Sequence, residues 1–345
     1  DPDSTFENMI DLRDAIEANI VEGPRMSCGS YALITGVGGT AGRMIQDEGV
    51  TGYYMPVNSR DEIVKEVRRQ IKNGTDWIKV HVTGIIPRQA HKGEMCVWTY
   101  DELKLLCDTA HELETPVMGH CRGAEATRRA AVAGMDFIFH ATAMDDTALQ
   151  AVIDHKVPIA PALTFQANMV DFGHTVGTSD TLMAIFEREI TESIETMTVA
   201  HKEGVRLLTG SESGFSLVPY GDWHYREMEV FTKYFGLSPL EAIKCGTQNG
   251  AFALRTEGET GVIAPGYRAD IICVTGKVEE DLSLLGNPDN ITTVMIDGVE
   301  KDLSPPPKRN PIPGWRLAAM GSKLTREKAL GLEQEPEPVH IEELH

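Results

Sequence analysis

Short β-rich runs alternate with longer helical patterns through the middle of the chain, and this alternation restricts the fold more than any other feature. The runs are residues 77–83 (WIKVHVT), 116–120 (PVMGH), 137–140 (FIFH), 158–161 (PIAP) and 205–210 (VRLLTG). Helical patterns lie at residues 60–72, 101–113, 124–133, 145–154 and 180–202, and an earlier strand is expected near 25–30 behind a helix over 5–18. Consecutive parallel strands need a crossover of about a dozen residues, usually a helix, so the pattern reads as βαβ units around a parallel sheet. The connections after Gly84, Phe165 and Phe215 are long. Long loops after strands, with short ones before them, suggest a barrel whose active face lies at the strands' carboxyl ends.

From about residue 261 the texture changes. GVIAPGYRADIICVTG and NITTVMIDGVEKDL are β-rich and Gly-punctuated, with no long helix between them. The expected organisation is therefore a barrel over 1–260, a small β appendage over 261–303, and a Pro-containing acidic arm and tail over 304–345. The loop GVGGTAG at 36–42 misses the GxGxxG spacing of dinucleotide-binding turns.

Charge removes other classes. A net charge of −20, with no basic cluster, opposes nucleic-acid binding. No apolar run approaches the roughly 18–20 residues of a membrane span. Six cysteines without a CxxC pair read as free thiols in a reducing cytoplasm.

The strand ends carry the chemistry. Lys79 breaks an apolar strand, and His81, two residues on, shares its face. A lone buried ammonium is costly, so Lys79 needs a partner, a shifted pKa or a modification. His120 closes PVMGH, His140 closes FIFH, and Glu212 follows RLLTG. A parallel barrel brings such positions onto one rim, where two imidazoles and oxygen donors suit a divalent transition metal. Singly, each histidine reads as a hydrogen-bonded structural residue, and Lys79 as half of a salt bridge with Glu212. Trp98, Phe165, Met169, Phe215 and Tyr220 lie in or near the long connections and read equally as pocket lining or as core.

Together with LSPLEAIKCGTQNGAFALRTEGETGVIAPGYRADIICV, the strings WIKVHVTG, PVMGHCRGAEATRRAAVAGMDFIFHATAMDD and LLTGSESG resemble the amidohydrolase superfamily, in the branch with imidazolonepropionase-like and prolidase-like enzymes. The resemblance implies an α/β fold, a (β/α)8 TIM-like barrel with a small β-sandwich built from both chain ends. It also implies that Lys79 matches a lysine commonly carboxylated at its ε-nitrogen and bridging two metals. His120 and His140 match the histidines ending strands five and six, and Glu212 stands where the family has an aspartate.

The departures are equally informative. The family opens its barrel with a His-x-His pair that this chain lacks. Strands one and two are accordingly expected before Asp1, in a native protein longer by about 100 residues. The alternative is a barrel completed by a separate chain. Glu212 is longer than aspartate, Arg122 replaces the second histidine of HAHG, and His81 occupies a position usually small or apolar. One or two divalent ions per subunit, zinc, cobalt or manganese, are expected, and these changes suggest a modified centre with one rather than two. The expected residues are Lys79, His120 and His140 as metal ligands, Glu212 and His81 as catalytic groups, and Arg122 and His224 as substrate contacts. The expected reaction is hydrolysis of an amide, urea, carbamate or thiocarbamate by activated water, nearest the phenylurea and thiocarbamate herbicide hydrolases. A prolidase-like dipeptidase and a non-catalytic barrel acting as a binding subunit are the alternatives. A small-molecule substrate and a homo-oligomer, dimer to tetramer or larger, are the expected partners.

Overall fold

The computed structural model describes residues 1–39, 42, 46, 49, 52–84, 94–215, 217–304 and 324–332. Helix α1 (Asn8–Glu17) precedes strands β1 (Ala32–Ile34) and β2 (Tyr54–Pro56). Regular alternation follows: α2 (Arg60–Lys72), β3 (Ile78–His81), α3 (Tyr100–His111), β4 (Val117–Arg122), α4 (Ala124–Ala133), β5 (Phe137–Thr142), α5 (Asp146–His155) and β6 (Ile159–Ala160). Then come α6 (Thr164–Phe172), α7 (Asp180–Lys202), α8 (Arg226–Phe235), α9 (Pro239–Gly246) and α10 (Gly250–Ala253).

Local chemistry sets the helix ends. The Ser59 hydroxyl accepts from Glu62 N to start α2, and Thr99 with Glu102 closes a capping box on α3. Ser238 and Glu241 repeat that box on α9, with Pro239 in the first turn. Gly134 ends α4 in the left-handed region at φ 101°, where a side chain would be strained. Along α2, Ile63, Val67 and Gln70 make the buried stripe, and along α3, Leu103, Leu106 and Cys107 do the same.

All six strands of the main sheet are parallel, in the order β2-β1-β3-β4-β5-β6. Leu207 adds a single bridge to Ile159 beyond β6. The fold is α/β and TIM-like, as expected. Apolar residues of this sheet pack against the helices as one core that includes Leu33, Ile78, Val80, Ile138, Ile159 and Leu207, each 0% exposed. Burying a side chain of that size stabilises by about 1.5–3 kcal/mol.

Two expected strands differ. The segment at 25–30 contributes a single parallel bridge, Gly29 to Trp77, and the ladder begins at β1, because residues 27, 29 and 30 also bond the first four residues. Asp1 N donates to Ser27 O at 2.8 Å, Gly29 N to Asp1 O at 2.8 Å, and Ser4 N to Ser30 O at 3.1 Å. The expected strand at 205–210 contributes only the Leu207 bridge, because its neighbour β6 is two residues long.

A second, antiparallel sheet joins β7 (Ile271–Val274), β8 (Ile291–Ile296) and β9 (Val299–Glu300). Of the expected tail, residues 305–323 and 333–345 lie outside the described residues. The short helix α11 (Arg326–Ala329) follows Leu324, which is buried and whose carbonyl accepts from the Trp223 indole at 2.8 Å. Part of the 36–42 loop also lies outside the described residues. No helix of the described residues is long and apolar enough to cross a membrane.

Candidate metal and active site

Parallel register assembles the site. His81 pairs with His120 across β3 and β4, and Cys121 with His140 across β4 and β5. Residues paired in this way share a face, so the rings of His81 and His120 stack with centroids 4.4 Å apart. His140 meets His120 edge-on at 4.5 Å, and its Nε2 lies 3.1 Å from His120 Nδ1. Glu212 Oε1 approaches the same His140 nitrogen at 3.3 Å. Each histidine is 5% exposed or less.

Backbone carbonyls face the outer nitrogens. His120 Nε2 faces Gly84 O at 3.0 Å and His140 Nδ1 faces Pro161 O at 3.3 Å. A carbonyl only accepts, so each of these contacts favours the tautomer with its proton on the outer nitrogen. Burial, reinforced for His120 by its two histidine neighbours and for His140 by Arg122 and Lys79, holds both rings well below the usual imidazole pKa. His140 Nε2 has two near neighbours, His120 Nδ1 at 3.1 Å and Glu212 Oε1 at 3.3 Å, so the inward-facing atoms of the cluster are all groups able to donate a lone pair to a cation. Ring nitrogens held outward by backbone carbonyls, with lone pairs converging inward, are the supporting pattern of metal-binding histidines. The donor chemistry thus fits a divalent cation, although among the described residues no three His, Cys, Asp or Glu side chains converge as a complete cation site.

Backbone strain gathers at the same place. His140 and Glu212 have φ of 68° and 54°, left-handed values that cost a non-glycine residue about 1–3 kcal/mol. His140 takes this conformation within β5, and Glu212 takes it in the segment after the Leu207 bridge. Burial raises the Glu212 carboxyl pKa, opposed by the charges of Arg122 and Lys79.

Asp3 is the residue that sequence reading missed. Its carboxylate accepts from His81 Nε2 at 3.2 Å and lies 3.6 Å from Lys79 Nζ. Burial pushes its pKa up, but the Lys79 charge and the His81 hydrogen bond outweigh this and hold it at about 2. Lys79 Nζ also lies 3.9 Å from the centre of the Phe139 ring, a cation–π contact. Glu189 on α7 was missed as well, and it pairs with Arg122 Nη1. No sequence signal marks either acid: Asp3 sits in an irregular opening segment, and Glu189 in a helix rich in charge.

His224 is not brought to the cluster by any hydrogen bond or ion pair among the described residues; it is exposed just ahead of α8. Of the aromatic and apolar candidates, Trp98 and Met169 are core, and the Trp98 indole donates to His81 O at 2.8 Å, bracing β3. Phe165 and Phe215 meet edge-on at 5.7 Å, with Phe215 and Tyr220 49% and 79% exposed. A cavity of about 390 Å³ lies elsewhere, beside His201, Arg206, Glu241 and Lys244, where the 205–210 segment begins.

Residues 2–301 match the model of the Amidohydrolase family. Ochratoxinase of Aspergillus niger is 23% identical over 240 residues, 69% of this chain and 48% of that protein. A solved Xaa-Pro dipeptidase with methionine bound in its active site superposes with a TM-score of 0.71 at 28% identity, covering 86% of this chain and 73% of the other. Molinate hydrolase is similar in fold, with a TM-score of 0.63 at 19% identity over 88% of this chain and 72% of that one. The chain spans 48% to 62% of the length of the curated relatives it matches.

Proposed function

Because the chain belongs to the amidohydrolase family, we propose that its buried cluster serves a hydrolase of amide-like C–N bonds, with His120 and His140 holding one divalent transition metal. The observation that carries this is the approach of His120 Nδ1, His140 Nε2 and Glu212 Oε1, the two nitrogens 3.1 Å apart and the oxygen 3.3 Å from His140 Nε2. Ligands about 2.0–2.1 Å from one ion stand near that distance from each other. Zinc, cobalt and manganese all accept imidazole with carboxylate. Such an ion, when bound, supplies Lewis acidity that polarises a carbonyl and lowers the pKa of water toward neutrality.

The chain's own groups do the rest. Glu212, beside His140 and raised by burial, takes a proton from water as the oxygen attacks the carbonyl carbon. It returns that proton to the leaving nitrogen as the C–N bond breaks. His81 stacks on His120 and, tied to Asp3, holds that ring in place. The solved relatives include a dipeptidase and a molinate hydrolase by name, which supports keeping both peptide-like and thiocarbamate bonds within range.

Elemental analysis of never-chelated protein tests the reading. We expect one equivalent of metal per chain, lost in His120→Ala. Glu212→Gln should keep the metal while turnover of an anilide falls by roughly 10²–10⁴. No metal, and none taken up on addition, would overturn the hydrolase assignment in favour of a binding barrel.

A further inference from the structure

Beyond the small sheet the chain returns to the barrel. Leu324 is 0% exposed and lies in one apolar cluster with Met169, Leu217, Val218, Trp223 and Tyr225. Its carbonyl accepts from the Trp223 indole at 2.8 Å, and Arg326 N donates to Asp222 Oδ2 at 2.9 Å. The Thr325 hydroxyl accepts from Lys328 N and starts α11 beside these contacts. Apart from Met169, these partners belong to one stretch, the irregular path that leads from Glu212 to α8.

Glu212 depends on that path. It lies in no helix or strand, and its φ of 54° is a left-handed value that persists only where the surrounding structure over-determines it. Few bonds follow it. Gly214 N donates to Val218 O at 2.9 Å and Val218 N to Phe215 O at 3.0 Å, folding the path back on itself, and Leu217 O accepts from Asn168 Nδ2 at 2.9 Å. Gly214, at φ 117°, leaves no room for a side chain, since a β-carbon there would stand 2.8 Å from the Tyr220 hydroxyl. The remaining support is apolar: Leu217 and Val218 share their cluster with Leu324. We propose that Leu324–Ala329 is a clamp on this path that positions Glu212 for proton transfer, with Leu324 and Trp223 as its positioning residues. The role of Glu212 rests on the hydrolase reading; the clamp goes beyond it.

The test places Leu324→Ala in the full metal-loaded chain and follows turnover of a neutral anilide together with hydrogen exchange. A displaced proton-transfer group lowers kcat, so kcat should fall at least about tenfold, with KM within about threefold and metal content unchanged. The amides of Gly214 and Val218 should exchange at least about tenfold faster, while those of β4 and β5 keep the wild-type rate. Leu324→Met, which refills the cluster, should return kcat to within about threefold of the wild type. In a Glu212→Gln background no base is left to position, so Leu324→Ala should then alter kcat by less than about twofold. Wild-type kcat in Leu324→Ala, an equal fall in both backgrounds, or unchanged exchange at Gly214 and Val218 overturns the proposal. If Leu324→Ala does not fold, Trp223→Phe, which removes the indole N–H that bonds Leu324 O, decides by the same readouts with a threshold of about threefold. A wild type that hydrolyses no anilide removes the hydrolase reading by itself, and exchange at Gly214 and Val218 then decides the clamp alone.

Discussion

Asp3 makes Lys79 tolerable. The ammonium is buried within β3, and a buried charge that loses its partner costs about 3–5 kcal/mol. Asp3 is one-fifth exposed, so the lower end applies, and Asp3→Asn should destabilise by about 3 kcal/mol in denaturant melts at pH 7. The pH dependence has a definite sign. A carboxyl held at about 2 in the folded state, below its ordinary value of 3.8, contributes stability that is present above pH 4 and lost as pH falls through 2. The gap between wild type and Asp3→Asn should therefore narrow over that acid range. Were it to stay constant down to pH 2, the ion pair would not be the source of the stability. The same contact bears on modification: a carboxylated Lys79 would set a second anion beside Asp3. Lys79 is accordingly expected to resist carboxylation, and carbon-13 NMR of the folded protein under labelled carbon dioxide should show no carbamate signal from it. Lys79, His81, His120 and His140 were legible in the sequence because each interrupts or closes an apolar run. The acidic partners were not: Asp3 meets Lys79 and His81, and Glu189 meets Arg122, only through the fold.

Element by element, the alternating segments were legible where periodicity was strong, and α7 falls on residues 180–202 as expected. Helix α6 was hidden because Thr164, Gln166, Ala167, Asn168 and Met169 are all buried, leaving no polar face to generate a period. Strand β2 was hidden because three residues give no alternation to detect. Helix α8 was absorbed into a presumed loop, yet it carries Glu227, which braces the turn between β6 and α6. Its Oε1 accepts from Leu163 N at 3.0 Å, and its Oε2 from the Thr164 hydroxyl at 2.9 Å. Burial pushes this carboxyl up to about 8, against the hydrogen bonds that favour its ionised form. A folded pKa above the unfolded one means stability fully present below about pH 4.5 and lost as pH rises through 8. Glu227→Gln, which retains an acceptor for Leu163 N, should abolish that loss. The slope removed should approach about 1.4 kcal/mol per pH unit between 5 and 8. Equal pH slopes for the two proteins would mean that Glu227 is ionised in the native state.

Across the whole molecule, the two sheets are held with unequal strength. The parallel sheet is buried through β3, β4 and most of β5, whereas no residue of β7, β8 or β9 is fully buried, and Ile272 and Val299 are 53% and 60% exposed. Charged contacts tie the small sheet to the opening segments of the chain: Arg25 bonds Asp270 at 2.5 Å and Asp297 at 2.9 Å, and Lys301 reaches Glu22 at 3.1 Å. Exposed ion pairs contribute about 0–1 kcal/mol each and weaken with salt, so the small sheet should open well before the core. Native-state hydrogen exchange should show amides of β7 and β8 exchanging through local opening, while those of β3 to β5 exchange only with global unfolding. Arg25→Ala should speed exchange in β7 and β8 by roughly fivefold, about 1 kcal/mol, and leave β3 to β5 unchanged. Added salt should reproduce the effect in the wild type. If β7 and β8 instead exchange in step with β4 under every condition, the two sheets form one cooperative unit, and something stronger than the Arg25 pairs joins them.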